Sequence, residues 1–177
     1  MIRIGSQLMF CSPEKILRRT AMELDEQNVV RSIFSLDDGN VETAQTLFFD
    51  GILSQEIVSV KQHICKEDTY SLLQNYQYLD ISENISISDI VPTSKPLIID
   101  FGTNLPKEIN KLIPLLVSVF TELSIFDIIA SCTYFPNIIL GRAAELTENS
   151  FAQIVLWENT DLIEKKLTFN TSVRGIN

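Results

Sequence analysis

Histidine is the scarcest resource in this sequence: His63 is the only one among 177 residues. A catalytic metal centre built on several imidazoles cannot be assembled from one chain that holds a single imidazole. Cysteine is almost as sparse. Cys11, Cys65 and Cys132 are odd in number, and no two are spaced as CxxC. That excludes a disulfide framework and a zinc knuckle. Positive charge is in deficit, with 14 Lys and Arg against 23 Asp and Glu and a formal net charge of −9. Binding a nucleic-acid backbone needs a basic surface, so no nucleic-acid partner is expected. No run of like charge reaches five residues, so there is no acidic tail. Long apolar runs are missing too. The most apolar stretch, 109–140, is interrupted by Lys111, Glu122, Asp127 and Pro136. It falls short of the roughly 20 clean residues that cross a bilayer, and no membrane partner is expected. The opening Met1-Ile2-Arg3-Ile4-Gly5 lacks the apolar core of a signal peptide. With the cysteine usage, this favours a reducing, cytoplasmic setting.

What the sequence has is ordinary globular material: 45% hydrophobic and 21% charged residues. The amino-terminal part reads as β-structure. Lys15 to Leu24 fits either a helix opened by Ser12-Pro13-Glu14 or an alternating strand, and the turn signal Asp25-Glu26-Gln27-Asn28 with the β-branched run from Val29 to Leu36 predicts a hairpin that tips it towards strand. Thr46 to Phe49 is a strand, and Gly51 breaks it before a further apolar run over 52–60. The middle is mixed. Glu67 to Tyr76 is helical in pattern, and Tyr78 to Val91 reads as irregular chain with short extended pieces. Leu97-Ile98-Ile99-Asp100-Phe101 before Gly102 is the pattern of a buried strand. Helices are then expected over 106–120, with Pro114 as a kink, over 125–132 behind a Ser124 cap, and over 136–146. The tail returns to β over 152–157 and 162–173.

Three segments resemble the amidohydrolase superfamily of metal-dependent hydrolases, closest to its deaminase-type branch. Leu47-Phe48-Phe49-Asp50-Gly51-Ile52-Leu53 followed by Ile57-Val58-Ser59-Val60-Lys61-Gln62-His63 resembles the passage from the family's short β-domain into its first barrel strand. That strand ends in the family's His-x-His pair. Ile98-Ile99-Asp100-Phe101-Gly102-Thr103-Asn104 is similar to its last barrel strand, which ends in Gly-Thr-Asp. Gly141-Arg142-Ala143-Ala144-Glu145-Leu146 resembles a helix of the family, and the final apolar segments resemble its terminal strands. The resemblance implies an α+β fold. Residues 1–58 and 147–177 would form a β-sandwich from both chain ends, and 59–146 a small β-α-β and helical remnant of a (β/α)8 barrel. Such a barrel takes about 250 residues, so six of its eight strands would be missing. The first and last strands are neighbours in a closed barrel. Residues 57–60 and 98–101 are therefore expected to pair in parallel, with 67–76 as their crossover.

The same comparison implies lost chemistry. The paired histidines of the family fall at Lys61 and His63, and its final aspartate falls at Asn104. A charged Lys offers three donors and no lone pair, so it cannot coordinate a cation. An amide at Asn104 has neither the charge nor the basicity of a carboxylate. No cofactor is expected, and the chain reads as a non-catalytic relative kept for binding or assembly. Each position also has a plain reading. His63 suits a hydrogen-bonded strand end, Lys61 a solvated head on a packed stem, and Asn104 a helix cap. Asp100 can point away from the core by strand alternation. Cys65 and Cys132 suit inert packing, although Cys65 lies two residues from the sole histidine. Without a barrel, Ile57, Val58, Ile98 and Phe101 would need new cover, and a homodimer is the simplest source. Two alternatives remain. One is a small-ligand or regulatory module with a pocket at Lys61, His63, Thr103 and Asn104. The other is a residual hydrolase whose site is completed across an oligomer.

Overall fold

The computed structural model describes residues 1–38, 45–63, 71, 73–81, 94–103 and 105–176. The chain is α+β. Six strands form one mixed sheet: β1 (Ile2–Ser12), β2 (Lys15–Leu24), β3 (Val30–Ser35), β4 (Thr46–Gln55), β7 (Ile154–Glu158) and β8 (Ser172–Gly175). Their spatial order is β3-β2-β1-β4-β7-β8. All neighbours run antiparallel except β1 and β4, which are parallel. Both chain ends thus contribute to one sheet, with β4 and β7 at the seam.

Local chemistry accounts for the turns. Asp25 Oδ1 accepts from the backbone N–H groups of Gln27 and Val29, each at 2.9 Å, and Asn28 takes the left-handed conformation at φ 60°. That is the turn that reverses β2 into β3. The segment over 15–24, compatible with helix or strand in isolation, is a strand because this turn gives it a partner.

β4 runs as one strand through Gly51 instead of breaking there. Gly51 has φ +149°, and a Cβ on it would lie 2.3 Å from the Trp157 carbonyl oxygen. The sheet bends at this point without losing the strand, and the β1–β4 register shifts nearby, between Ser6 and Leu8. Side chains beyond the bend alternate. Ile52 and its partner Trp157 enter one core cluster, whereas Leu53 and its partner Leu156 enter another. Trp157 is fully buried and donates its Nε1–H to Ser54 Oγ at 3.0 Å.

A two-stranded parallel sheet, β5 (Gln77–Asp80) with β6 (Leu97–Asp100), stands beside the main sheet. This corrects two sequence expectations. The parallel pair exists, but the partner of β6 is β5, within the segment read as irregular. Residues 57–60 are not a strand. Val58 N–H instead bonds the Cys132 carbonyl at 3.0 Å, and just after the segment Lys61 N–H bonds the Asp100 carboxylate at 2.8 Å. The expected crossover helix over 67–76 lies largely outside the described residues. Its described end is a short 3-10 turn, Leu73–Asn75.

The helical region is shorter than expected. α1 (Pro106–Val119) runs unbroken past Pro114 and buries Ile109, Ile113 and Leu116, one apolar stripe at helical spacing. Asn110 on α1 uses its side-chain amide to bond both the N–H and the C=O of Val173, at 2.7 and 2.9 Å. α2 (Ile125–Ile129) opens with the expected Ser124 cap, in a capping box with Asp127. A π-helical turn, Ala130–Tyr134, then leads into α3 (Phe135–Ile139). The helix expected to reach residue 146 ends here, because Gly141 adopts φ 65°, a left-handed helix stop. The Gly141-to-Leu146 segment is therefore turn and extended chain, not the helix that its resemblance implied. The tail segment over 162–171 is likewise not strand, and only its end enters β8.

Ile57, Val58, Ile98 and Phe101 are all buried within the single chain. The cover that a second copy was expected to supply is met internally. Ile57 and Phe101 lie in one cluster with Ile109, Ile113, Ile125 and Ile128 of the helices.

Candidate functional site

β5 and β6 end in register on two acids, Asp80 opposite Asp100. Period-two alternation did not turn Asp100 outward: it is fully buried. Burying a carboxylate costs several kcal/mol unless donors replace its water. Here each oxygen receives one hydroxyl and one backbone N–H. Oδ1 accepts from Ser59 Oγ at 2.7 Å and from Gly102 N at 2.8 Å. Oδ2 accepts from Tyr78 Oη and Lys61 N, both at 2.8 Å. A carboxylate has about four acceptor positions. All four are occupied by the protein's own donors.

Of the sequence-derived positions, Lys61 reaches this carboxylate directly. Lys61 and His63 lie in the turn over 61–63 that follows Ser59. The Lys61 ammonium pairs with Asp80 Oδ2 at 2.7 Å. His63 is exposed, with Nδ1 2.8 Å from the Ser59 carbonyl. A carbonyl only accepts, so Nδ1 is the donor in this contact. Gln62 Nε2 donates to the Gly102 carbonyl at 2.8 Å, tying the turn to the end of β6. Thr103 follows β6 at the same end, and its Oγ1 accepts from Leu105 N–H at 3.1 Å, at the entry to α1. Asn104 lies outside the described residues, as does Cys65. Cys11 and Cys132 are buried free thiols. Burial pushes the Cys11 thiol up to about 11 and raises Cys132 further, so both stay protonated and unreactive at neutral pH.

Sequence reasoning missed Tyr78 and Asp80. The signal was present: Tyr78-Leu79-Asp80 repeats the apolar-then-acid ending of Ile98-Ile99-Asp100. It was obscured because the residues after it alternate polar with Ile and dilute a strand of only four residues.

A cavity of about 660 Å³ opens away from this polar cluster, near the first residues of β5 and β6, Gln77 and Leu97, between Phe120, Phe126 and Phe135. Its Asp127 is engaged in the α2 capping box, and its Lys95 donates to the Gln74 carbonyl. We place the candidate site at the polar cluster, since chemistry requires converging polar groups, not volume. Among the described residues, no three His, Cys, Asp or Glu side chains converge as a metal site would require.

A second polar feature sits nearby. Glu56 lines a cavity of about 370 Å³ with Gln55, Asn137 and Arg142. Burial raises its carboxyl above the usual range, and Arg142 and His63 offset this only in part. An acid with a raised folded-state pKa costs stability where it is ionised in both states, and that cost vanishes as pH falls through the folded value. Glu56→Gln should therefore stabilise the fold at pH 7, and the gain should disappear at pH 4. Thermal melts of both proteins at the two pH values measure this.

No protein-family model matches the chain, and a search of curated proteins finds no match. Two solved structures resemble it weakly, and both are amidohydrolase-family proteins. N-acetyl-D-glucosamine-6-phosphate deacetylase from Mycobacterium smegmatis aligns over 67% of this chain and 30% of its own, at 7% identity and TM-score 0.27. A protein from Bifidobacterium longum described as a prolidase aligns over 67% of this chain and 38% of its own, at 12% identity and TM-score 0.26. The chain thus spans about a third of the length of each. No helix among the described residues is long and apolar enough to cross a membrane.

Proposed function

We propose that this chain is a non-catalytic, amidohydrolase-like protein whose role is binding. The observation that carries this reading is the saturation of Asp100. An acid that is to move a proton or hold a metal needs a free acceptor position. The donors on Asp100 are Ser59, Lys61, Tyr78 and Gly102, all from the chain itself. The Lys61 ammonium on Asp80 supports the same reading, because it puts a fixed positive charge where a cation would have to sit. The sequence offers one imidazole for a centre that needs several. On this reading the six-stranded sheet is the counterpart of the family's β-sandwich. β5 and β6 are what remains of its barrel, and Lys61, His63 and Asn104 are the worn positions of its metal site. Binding is preferred to self-assembly because Ile57, Val58, Ile98 and Phe101 are already buried in the single chain.

Metal analysis of protein purified without chelator tests the proposal. Zinc, iron and manganese should all be far below one equivalent per chain. One equivalent that is lost on His63→Ala would overturn it, and would favour a hydrolase completed between subunits.

A further inference from the structure

We propose that the cavity between the β1–β2 hairpin and the turn over 159–166 binds a small amphipathic anion, an oxyanion head on an apolar body. The cavity measures about 550 Å³, within the roughly 300–1,000 Å³ range of small-molecule sites. It is separate from the Asp100 cluster and shares none of its residues.

The floor is apolar and is built by strand register. Leu8 faces Arg18 across the hairpin, and Phe10 faces Ile16. These four side chains therefore share one face of the sheet. Phe10 is buried under the helical layer. Leu8 and Ile16 lie where that layer runs out, and Phe126 of α2 and Leu162 face them across the cavity. All four packed residues are half-buried, with the core behind them and the cavity in front.

The rim is cationic, which is unexpected in a chain of net charge −9. Arg18, Arg19 and Lys165 line it, with Asp37 as the one acid. Asp37 is held by Arg19 at 2.7 Å. Neither Arg18 nor Lys165 has a side-chain partner among the described residues, although acids outnumber bases across the chain. Two unpaired cations at one apolar-floored cavity suit a ligand that brings its own negative charge.

The backbone supplies an independent observation. Arg19 and Lys165 both adopt the left-handed conformation, at φ 44° and 55°, which non-glycine residues rarely take. At Arg19 this interrupts strand alternation, so the consecutive residues Arg18 and Arg19 line the same cavity. Leu36 N–H holds the irregularity by bonding the Arg19 carbonyl at 2.7 Å. At Lys165 the same conformation ends the turn closed by the Asp161–Lys166 pair, so both cations are held in place by fixed backbone.

Isothermal titration with decanoate tests this, with decanol and decyltrimethylammonium as the neutral and cationic counterparts. Decanoate should bind one to one, and the cationic amphiphile should not. The double variant Arg18→Ala, Lys165→Asn should weaken decanoate about tenfold, the loss of one charge-assisted contact or more, and leave decanol unchanged. Asn tolerates the left-handed backbone at position 165, and both replaced side chains are exposed, so circular dichroism should match the parent. If the double variant does not fold, Lys165→Asn alone carries the test with the same expected direction. Absence of saturable decanoate binding, equal binding of the cationic amphiphile, or decanoate affinity unchanged in a folded variant would each overturn the proposal.

Discussion

Asp100→Leu should lower folding stability by about 3–5 kcal/mol, a large share of the roughly 5–15 kcal/mol that holds a domain together. The substitution keeps the branching of the side chain, replaces two oxygens by bulkier methyl groups and removes the acceptor. It strands four donors in a site without solvent: two hydroxyls, which can turn toward other acceptors, and the Lys61 and Gly102 N–H groups, which cannot. Asp100→Asn is the sharper experiment. Each carboxylate oxygen accepts one backbone N–H, so either orientation of the amide sets its NH2 against a fixed donor. Asn should therefore also destabilise, by about 2–3 kcal/mol, despite being nearly isosteric. Tyr78→Phe removes only one hydroxyl from the same oxygen and should cost about 1 kcal/mol. Urea denaturation with a common slope ranks the three. An Asn variant as stable as the parent would mean that the two backbone donors do not both depend on Asp100.

Gly51→Ala should destabilise by about 3 kcal/mol, visible as a fall in Tm of about 6–12 °C. A methyl group at this position lies 2.3 Å from a backbone oxygen, that of Trp157. A side-chain tip could rotate away, but a carbonyl fixed in a ladder can move only by breaking the β4–β7 seam. The φ of +149° adds strain for any L side chain. Gly175→Ala is the internal control. Nothing lies within 4 Å of its Cβ, and it should be close to neutral.

Those two positions show what was legible beforehand. Gly51 stood out in the sequence as a breaker, yet it bends a continuous strand. The difference is made by β7, about a hundred residues later, which no local pattern reveals. The hairpin over 15–35 was readable because its turn chemistry is local and Asp25 and Asn28 determine it. β6 was readable as three apolar residues and an acid with a glycine stop close behind. Its partner was not. By local pattern 57–60 is the more apolar candidate and 77–80, Gln-Tyr-Leu-Asp, the less obvious one, yet β5 pairs with β6 while Val58 N–H bonds the Cys132 carbonyl. The site was half legible. Lys61 and His63 were named through a family pattern; Lys61 bonds Asp100 through its backbone N–H, and His63 bonds the carbonyl of Ser59, whose hydroxyl reaches Asp100. The centre of that arrangement is Asp100 itself, which strand alternation alone would have turned toward solvent.

Trp157 is the only tryptophan in the chain, and its indole bonds Ser54 across a separation of 103 residues. Its emission therefore reports one event, the closing of the carboxyl-terminal hairpin onto β4. Contacts so distant in sequence must await the closure of a long loop, and such topologies fold slowly. During synthesis β1 to β4 emerge first, with Ile52 and Leu53 uncovered along the seam until β7 and β8 follow about a hundred residues later. The interval before that docking, rather than the finished fold, is when this chain is most exposed to aggregation and proteolysis.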